Sequence, residues 1–257
     1  MSRVIAVANQ KGGVGKTTTN VNLSACLAQA GKRVLTIDMD PQGNTSSGLG
    51  VVDKNSLNKT IYDLLLGECY IEEIMIETDV PNLFLLPANV QLSGAEIELI
   101  GYNNREYILK SILEDARYLY DFILIDCPPS LNMLTINALT AADSILVPIQ
   151  CEYYALEGLS QLTHTISLVQ KKLNPSLYID GIVFTMFDVR TNLSIQVVDE
   201  VKKNLDTHIY KTVIPRNVRL SEAPSYGQPI TIYDKASKGA DSYILLAEEL
   251  MNRTVKR

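Results

Sequence analysis

Val4-Ile5-Ala6-Val7-Ala8-Asn9-Gln10-Lys11-Gly12-Gly13-Val14-Gly15-Lys16-Thr17-Thr18 decides how the rest of this chain folds. The run Val4 to Ala8 reads as a strand buried on both faces. A glycine-rich turn follows at once. From Asn20 to Ala30, Val21, Leu23, Leu27 and Ala28 then recur at helical spacing. Strand, glycine turn and helix form the setting that a phosphate-binding loop requires. Glycines let backbone N–H groups approach an anion, and the helix N-terminus adds the positive end of its dipole. The expected cofactor contacts are therefore Gly12, Gly13, Val14, Gly15, Lys16, Thr17 and Thr18. Lys16 places charge on the β- and γ-phosphates, and the Thr17 hydroxyl ligates Mg²⁺. One departure stands out: Gln10 takes the usual first glycine's place, and a second lysine, Lys11, precedes the glycine pair.

Working outward, Arg33 to Asp38 reads as a second strand that ends in acid. Asp38 and Asp40 lie at its tip, beside the first strand's loop if the two strands are near neighbours; open α/β sheets bind ligands at that edge. Tyr120 to Asp126 is apolar and then acidic, so Asp126 is placed to hold Mg²⁺ through water. Pro128-Pro129-Ser130 fixes a turn, with Ser130 suited to a helix cap. Further strands are expected at Leu83–Leu86, Ser144–Ile149, Ile179–Met186 and His208–Ile214. Helices are expected at Thr60–Leu66, Ala155–Leu173, Leu193–Leu205, Ser221–Tyr226 and Ala236–Met251. Ser93–Leu119 is helical but broken near Gly101, and Gly43–Lys59 reads as a turn-rich, mobile switch segment. Tyr102, Tyr107, Tyr118 and Tyr120 read as partly buried packing residues. Apolar strands alternating with helices call for an α/β fold: a mostly parallel sheet with helices on both faces, in one domain over residues 1–257.

Of the 257 residues, 46% are hydrophobic, and the net charge is −6. An acidic chain argues against nucleic acid, but the charge is uneven. Residues 1–180 carry 12 lysines and arginines against 20 acids, net −8, whereas residues 181–257 carry 11 against 9, net +2. That asymmetry points to a polyanion-facing surface toward the C-terminus. Cys26, Cys69, Cys127 and Cys151 form no C-x-x-C pair, which disfavours zinc or a disulfide framework and fits a reducing cytosol. No apolar run approaches the ~18 residues of a membrane span.

Lys11-Gly12-Gly13-Val14-Gly15-Lys16-Thr17, Asp38-Met39-Asp40-Pro41-Gln42-Gly43-Asn44 and Asp126-Cys127-Pro128-Pro129-Ser130 together resemble the three motifs of the ParA/MinD family of deviant Walker A ATPases. The resemblance runs from residue 3 to about residue 250 and is nearest the family's chromosome-partition branch. It implies a P-loop NTPase-type fold and a weak Mg²⁺-dependent ATPase. In that family Lys11 reaches across a dimer interface to the partner's nucleotide, with Gly12 at the same seam. Asp40 orients or activates the attacking water, and Asp38 steadies the Mg²⁺ hydration shell or the switch loop. Pro215 and Asn217 frame the adenine. The implied partners are a second copy of the chain when ATP is bound, non-specific duplex DNA, and a ParB-type protein that stimulates hydrolysis and release. The implied location is cytoplasmic and nucleoid-associated. By resemblance Arg190 belongs to the DNA surface; Lys202, Lys203, Arg216, Arg219, Lys235 and Lys238 are its further candidates. The rival within the family is a MinD-like membrane switch; the tail Asn252 to Arg257 is too short and too poor in bulky apolar residues to insert well. The other rivals are a redox ATPase like the nitrogenase iron protein, whose cluster needs cysteines that this chain does not place in the matching segments, and a small-molecule kinase or ligase on the same fold.

Overall fold

The computed structural model describes residues 2–152, 155–188, 190–204 and 207–253. Its strands are β1 (Arg3–Val7), β2 (Val34–Asp38), β3 (Ile76–Glu77), β4 (Leu83–Leu86), β5 (Phe122–Asp126), β6 (Ser144–Gln150), β7 (Tyr178–Phe187) and β8 (Ile209–Pro215). They form one sheet in the order β3-β4-β2-β5-β1-β6-β7-β8, parallel throughout except for antiparallel β3 at one edge. Every residue of β2 and β5 is buried, which is why their sequences do not alternate with polar residues.

The helices are α1 (Lys16–Gln29), α2 (Asn44–Gly48), α3 (Ile61–Leu65), α4 (Ile71–Ile74), α5 (Leu92–Glu98), α6 (Ile108–Ala116), α7 (Met133–Ala141), α8 (Ala155–Lys172), α9 (Asn192–Asn204), α10 (Val218–Glu222), α11 (Ile230–Tyr233) and α12 (Lys238–Asn252). Two separate apolar cores result. One packs Leu64, Leu113, Leu134, Leu159 and Val201 against one face of the sheet; the other packs Leu23, Leu27, Tyr243 and Leu246 against the opposite face. The side chains Ile123, Leu124 and Ile125 of β5 serve both cores by alternating between them. Burying each contributes about 1.5–3 kcal/mol relative to exposure.

Several local expectations change. The segment from Gly43 to Lys59 is not structureless: it contains α2 and a 3₁₀ turn at Lys54–Ser56, both organised by polar hydrogen bonds that hydrophobic periodicity does not register. Asn132, not Ser130, caps α7, its Oδ1 accepting from Thr135 N at 3.0 Å. The break near Gly101 is real, with α5 and α6 on either side and Asn104 in the left-handed region at φ 54°. Tyr102 and Tyr118 are exposed rather than packed, while Tyr120 is buried. The short α4, β3 and α11 carry no sequence signal of their own.

Candidate nucleotide site

Parallel β1, β2, β5, β6, β7 and β8 all deliver their C-terminal ends to one edge of the sheet. β5 lies between β1 and β2, with Asp126 in register with Val7 on one side and Asp38 on the other. The two acidic strand ends are thus direct neighbours, and Asp38 is one strand further from the phosphate loop than adjacency to β1 would put it. Between β1 and α1 the loop turns through Gly13 at φ 75° and Gly15 at φ 83°, conformations a residue with Cβ adopts only under strain. Gly15 is also the N-cap of α1, so the helix starts at Lys16, four residues before the apolar spacing reveals it. Lys16 is buried and its Nζ donates to Lys11 O at 3.1 Å. Desolvation lowers the pKa of its ammonium, an effect that the Asp126 and Asp40 carboxylates oppose.

Asp126 is wholly buried. Its Oδ2 accepts from Thr17 Oγ1 at 2.7 Å and from Thr45 Oγ1 at 2.8 Å, while Oδ1 has no hydrogen-bond partner among the described residues. Asp38 accepts from Ser46 N at 2.8 Å, Ser46 Oγ at 2.7 Å and Asp40 N at 3.2 Å. It therefore ties β2 to α2. An orphaned buried carboxylate oxygen next to a second buried carboxylate fits a dication. Among the described residues no three His, Cys, Asp or Glu side chains cluster as a protein-only metal cage. Mg²⁺ keeps most of its waters and takes few protein ligands beside phosphate oxygens. Thr17 and Asp126 are the residues that would hold it.

Burial raises Asp126 to about 8 and Asp38 to about 6; the Asp38 and Asp40 charges add to the effect on Asp126, and the Asp40 charge to that on Asp38. A carboxyl raised on folding binds protons that the unfolded chain has already lost. Its stabilising contribution is complete below the ordinary carboxylate range and disappears as pH rises through the folded value. The metal-free protein is therefore expected to melt a few degrees lower at pH 8.5 than at pH 6. Asp126→Asn, which cannot ionise, flattens that slope; scanning calorimetry in EDTA measures both.

A cavity of about 630 Å³ opens beside the loop, lined by Gly15, Thr18, Gln150, Thr185, Met186, Pro215, Asn217, Leu220, Ser221 and Tyr243 among others. Its size falls within the range of small-ligand sites. Thr185 Oγ1 donates to Val14 O at 2.8 Å, anchoring the loop to β7. Met186 follows at φ 49°, an outlier for a non-glycine residue, where the β7–β8 register is irregular. Pro215 and Asn217, expected to frame the base, both line this cavity. Asn217 Oδ1 is engaged in capping α10, accepting from Arg219 N at 2.8 Å. A cavity of about 670 Å³ between Leu64–Gly67 and Tyr102–Ile112 lies away from these groups.

Lys11 pairs with Glu152, just after β6 of the same chain. Gly12 has open space around a would-be Cβ and no left-handed φ, so none of the described residues demands a glycine there. The candidate basic residues split into two groups. Arg190 is held by Asp188, through Nε at 2.9 Å and Nη2 at 2.7 Å, and Arg219 by Glu222 at 2.9 Å and Asp234 at 3.3 Å. The guanidinium of Arg190 keeps the Asp188 carboxyl well below its usual range. Lys203 stands 4.0 Å from Glu200. Arg216, Lys202, Lys235 and Lys238 are exposed and, among the described residues, in no ion pair. Sequence reasoning missed Thr45, Ser46, Thr185 and Met186, whose roles arise from contacts between elements. Thr45 and Ser46 follow the Asp38 motif closely enough that a search for hydroxyls there would have found them.

Residues 2–179 match the family model described as an AAA domain. Sporulation initiation inhibitor protein Soj of Bacillus subtilis is 59% identical over 97% of this chain and 98% of its own. Chromosome partitioning protein ParA of Myxococcus xanthus is 54% identical over 98% and 89%, and chromosome-partitioning ATPase Soj of Treponema pallidum is 51% identical over 100% of both. Among solved structures, cobyrinic acid a,c-diamide synthase from Mycobacterium smegmatis with bound ADP and magnesium superposes with a TM-score of 0.86. It is 40% identical, over 98% of this chain and 94% of that one.

Proposed function

The chain belongs to the ParA/Soj family of chromosome-partitioning ATPases, and on that premise we propose that ATP switches it between a free monomer and a dimer that holds DNA without sequence preference. It is a Mg²⁺-dependent ATPase. Lys16 and the loop N–H groups bind the phosphates, and Thr17 and Asp126 hold the metal, which neutralises charge on the transferring phosphoryl group. Asp40 orients the attacking water. Phosphoryl transfer needs this positioning and charge more than covalent chemistry. A ParB-type partner stimulates hydrolysis and releases the dimer, which gives the protein a nucleoid-associated location.

The observation that carries the dimer is Gly12. Among the described residues nothing lies within 4 Å of a would-be Cβ at Gly12, which leaves the space beside the loop open to a partner surface. Gly12→Val accordingly keeps ATP binding and loses ATP-dependent association, as sedimentation reads it; a normal dimer would remove this support. Lys11 then exchanges Glu152 for the partner's nucleotide.

DNA holds an acidic protein only where cations cluster, because each neutralised phosphate releases condensed counterions. The basic loops that follow β7 and β8 supply such a cluster. Arg216 and Lys238 are available at once, whereas Arg190 and Arg219 must first leave their carboxylates. The deciding experiment compares ATP-dependent binding to non-specific duplex DNA with binding to anionic liposomes. The expected result is DNA binding alone. Arg216→Glu flattens the log–log salt slope by about 0.9 for each phosphate that the variant no longer neutralises. Binding to liposomes alone would favour the MinD-like reading. Among the described residues no helix is long and apolar enough to cross a membrane. A small-molecule kinase or ligase on this fold would instead show turnover that DNA leaves unchanged; the 40% identical solved structure is named a cobyrinic acid a,c-diamide synthase.

A further inference from the structure

Lys54 stands on the 3₁₀ turn Lys54–Ser56, half-buried, eleven residues beyond the Asp40–Gly43 turn. Its Nζ donates to Gln42 O at 2.6 Å and to Gly43 O at 3.0 Å. The same turn positions Asp40: Gln42 N donates to Asp40 Oδ1 at 2.9 Å, and Gly43 N donates to Asp40 O at 2.8 Å. The Gln42–Gly43 peptide is therefore gripped at both ends, by an ammonium on its carbonyl and by the Asp40 carbonyl on its N–H. Charge-assisted hydrogen bonds of this kind are about twice as strong as neutral ones.

The packing allows no slack. Gly43 is left-handed at φ 63°, and a Cβ there would lie 2.7 Å from Lys54 Cδ and 2.7 Å from Ala88 O. The lysine stem thus lies directly on the turn. Its own backbone is tethered, Asn89 Nδ2 donating to Lys54 O at 3.4 Å, while Asn55 N donates to Asp53 Oδ1 at 3.1 Å to cap the 3₁₀ turn.

We propose that Lys54 is a positioning residue for ATP hydrolysis: by holding the Gln42 and Gly43 carbonyls it fixes the Asp40–Gly43 turn, whose Gln42 N–H keeps the carboxylate of Asp40 in the attitude that orients the attacking water. This rests on the reading of Asp40 given above. Lys54 holds the turn after β2 and not the residues read as binding phosphate and metal, so its effect belongs in kcat rather than in ATP binding.

The test is a double-mutant cycle with Asp40→Ala, read by single-turnover hydrolysis of labelled ATP. Lys54→Met keeps the stem over Gly43 and removes the charge. It is expected to lower kcat about tenfold, since small misplacements of a catalytic group have effects of this order, and to leave KM for ATP within about twofold. Lys54→Arg recovers most of the loss. In the Asp40→Ala background Lys54→Met changes the rate by less than about twofold, because its target is gone. Should Lys54→Met not fold, Lys54→Gln is read by the same criteria. A wild-type rate for Lys54→Met, or an equal loss in both backgrounds, overturns the proposal. If Asp40→Ala itself hydrolyses ATP at the wild-type rate, the reading of Asp40 falls, and the inference with it.

Discussion

Lys16→Ala lowers affinity for ATP by about three orders of magnitude and removes every nucleotide-dependent behaviour. The magnitude follows from the environment. Two unit charges 4 Å apart at an effective dielectric of 20 interact with about 4 kcal/mol, and about 1.4 kcal/mol is tenfold in affinity. Lys16 is buried, so water screens it little, and desolvation, which lowers its pKa, means that it gains when a phosphate arrives. In the nucleotide-free protein its Nζ donates to the Lys11 carbonyl, a neutral partner. Replacing that carbonyl with phosphate exchanges a dipole for an anion. Lys16→Arg does not restore affinity, because the planar fork is larger than the point charge that the loop encloses. Titration calorimetry with ATP and Mg²⁺ reads the effect; a loss of less than tenfold would mean that the loop amides carry the phosphates without the lysine.

Much of this site was legible because its chemistry is local in sequence. Gly13, Gly15, Lys16 and Thr17 occupy one turn, and their spacing alone places N–H groups, charge and hydroxyl together. Asp38 and Asp126 could be assigned to strand ends from the apolar runs before them. Their adjacency could not, since it depends on β5 lying between β1 and β2. What sequence hid was contact across the sheet edge. Thr45 meets Asp126 at 2.8 Å over 81 positions, and Thr185 meets Val14 at 2.8 Å over 171. The switch segment was opaque for a related reason. Gly43–Lys59 lacks the apolar period that marks a helix, and its order comes from Asp38 on Ser46 and Lys54 on Gln42 and Gly43. The basic surface was legible as charge balance, but not the carboxylates that occupy Arg190 and Arg219.

Asp40→Ala gives the opposite signature from Lys16→Ala: ATP stays bound and hydrolysis stops. Asp40 is buried at the end of the turn after β2, with one carboxylate oxygen fixed by the Gln42 N–H at 2.9 Å. On the proposed reading the phosphates and the metal are held by Lys16, Thr17 and Asp126, so the substitution removes none of their ligands. It also removes an anion close enough to Lys16 to oppose the lowering of its pKa. ATP, itself an anion, therefore binds Asp40→Ala as tightly as wild type or slightly tighter. The water loses its orienting acceptor, and groups in that role typically contribute 10²- to 10⁴-fold; kcat is expected to fall by about 10²-fold or more. Asp40→Asn separates charge from shape. It keeps an acceptor for the Gln42 N–H, so the turn survives, but the amide is a far weaker acceptor for a water proton, and its rate stays near that of Asp40→Ala. If the dimer reading holds, slow hydrolysis traps the ATP state, and both variants remain on duplex DNA long after wild type has left it. Turnover at the wild-type rate in Asp40→Ala would assign the water to another group. Normal turnover in Asp40→Asn with loss in Asp40→Ala would mean that Asp40 acts only by holding the turn.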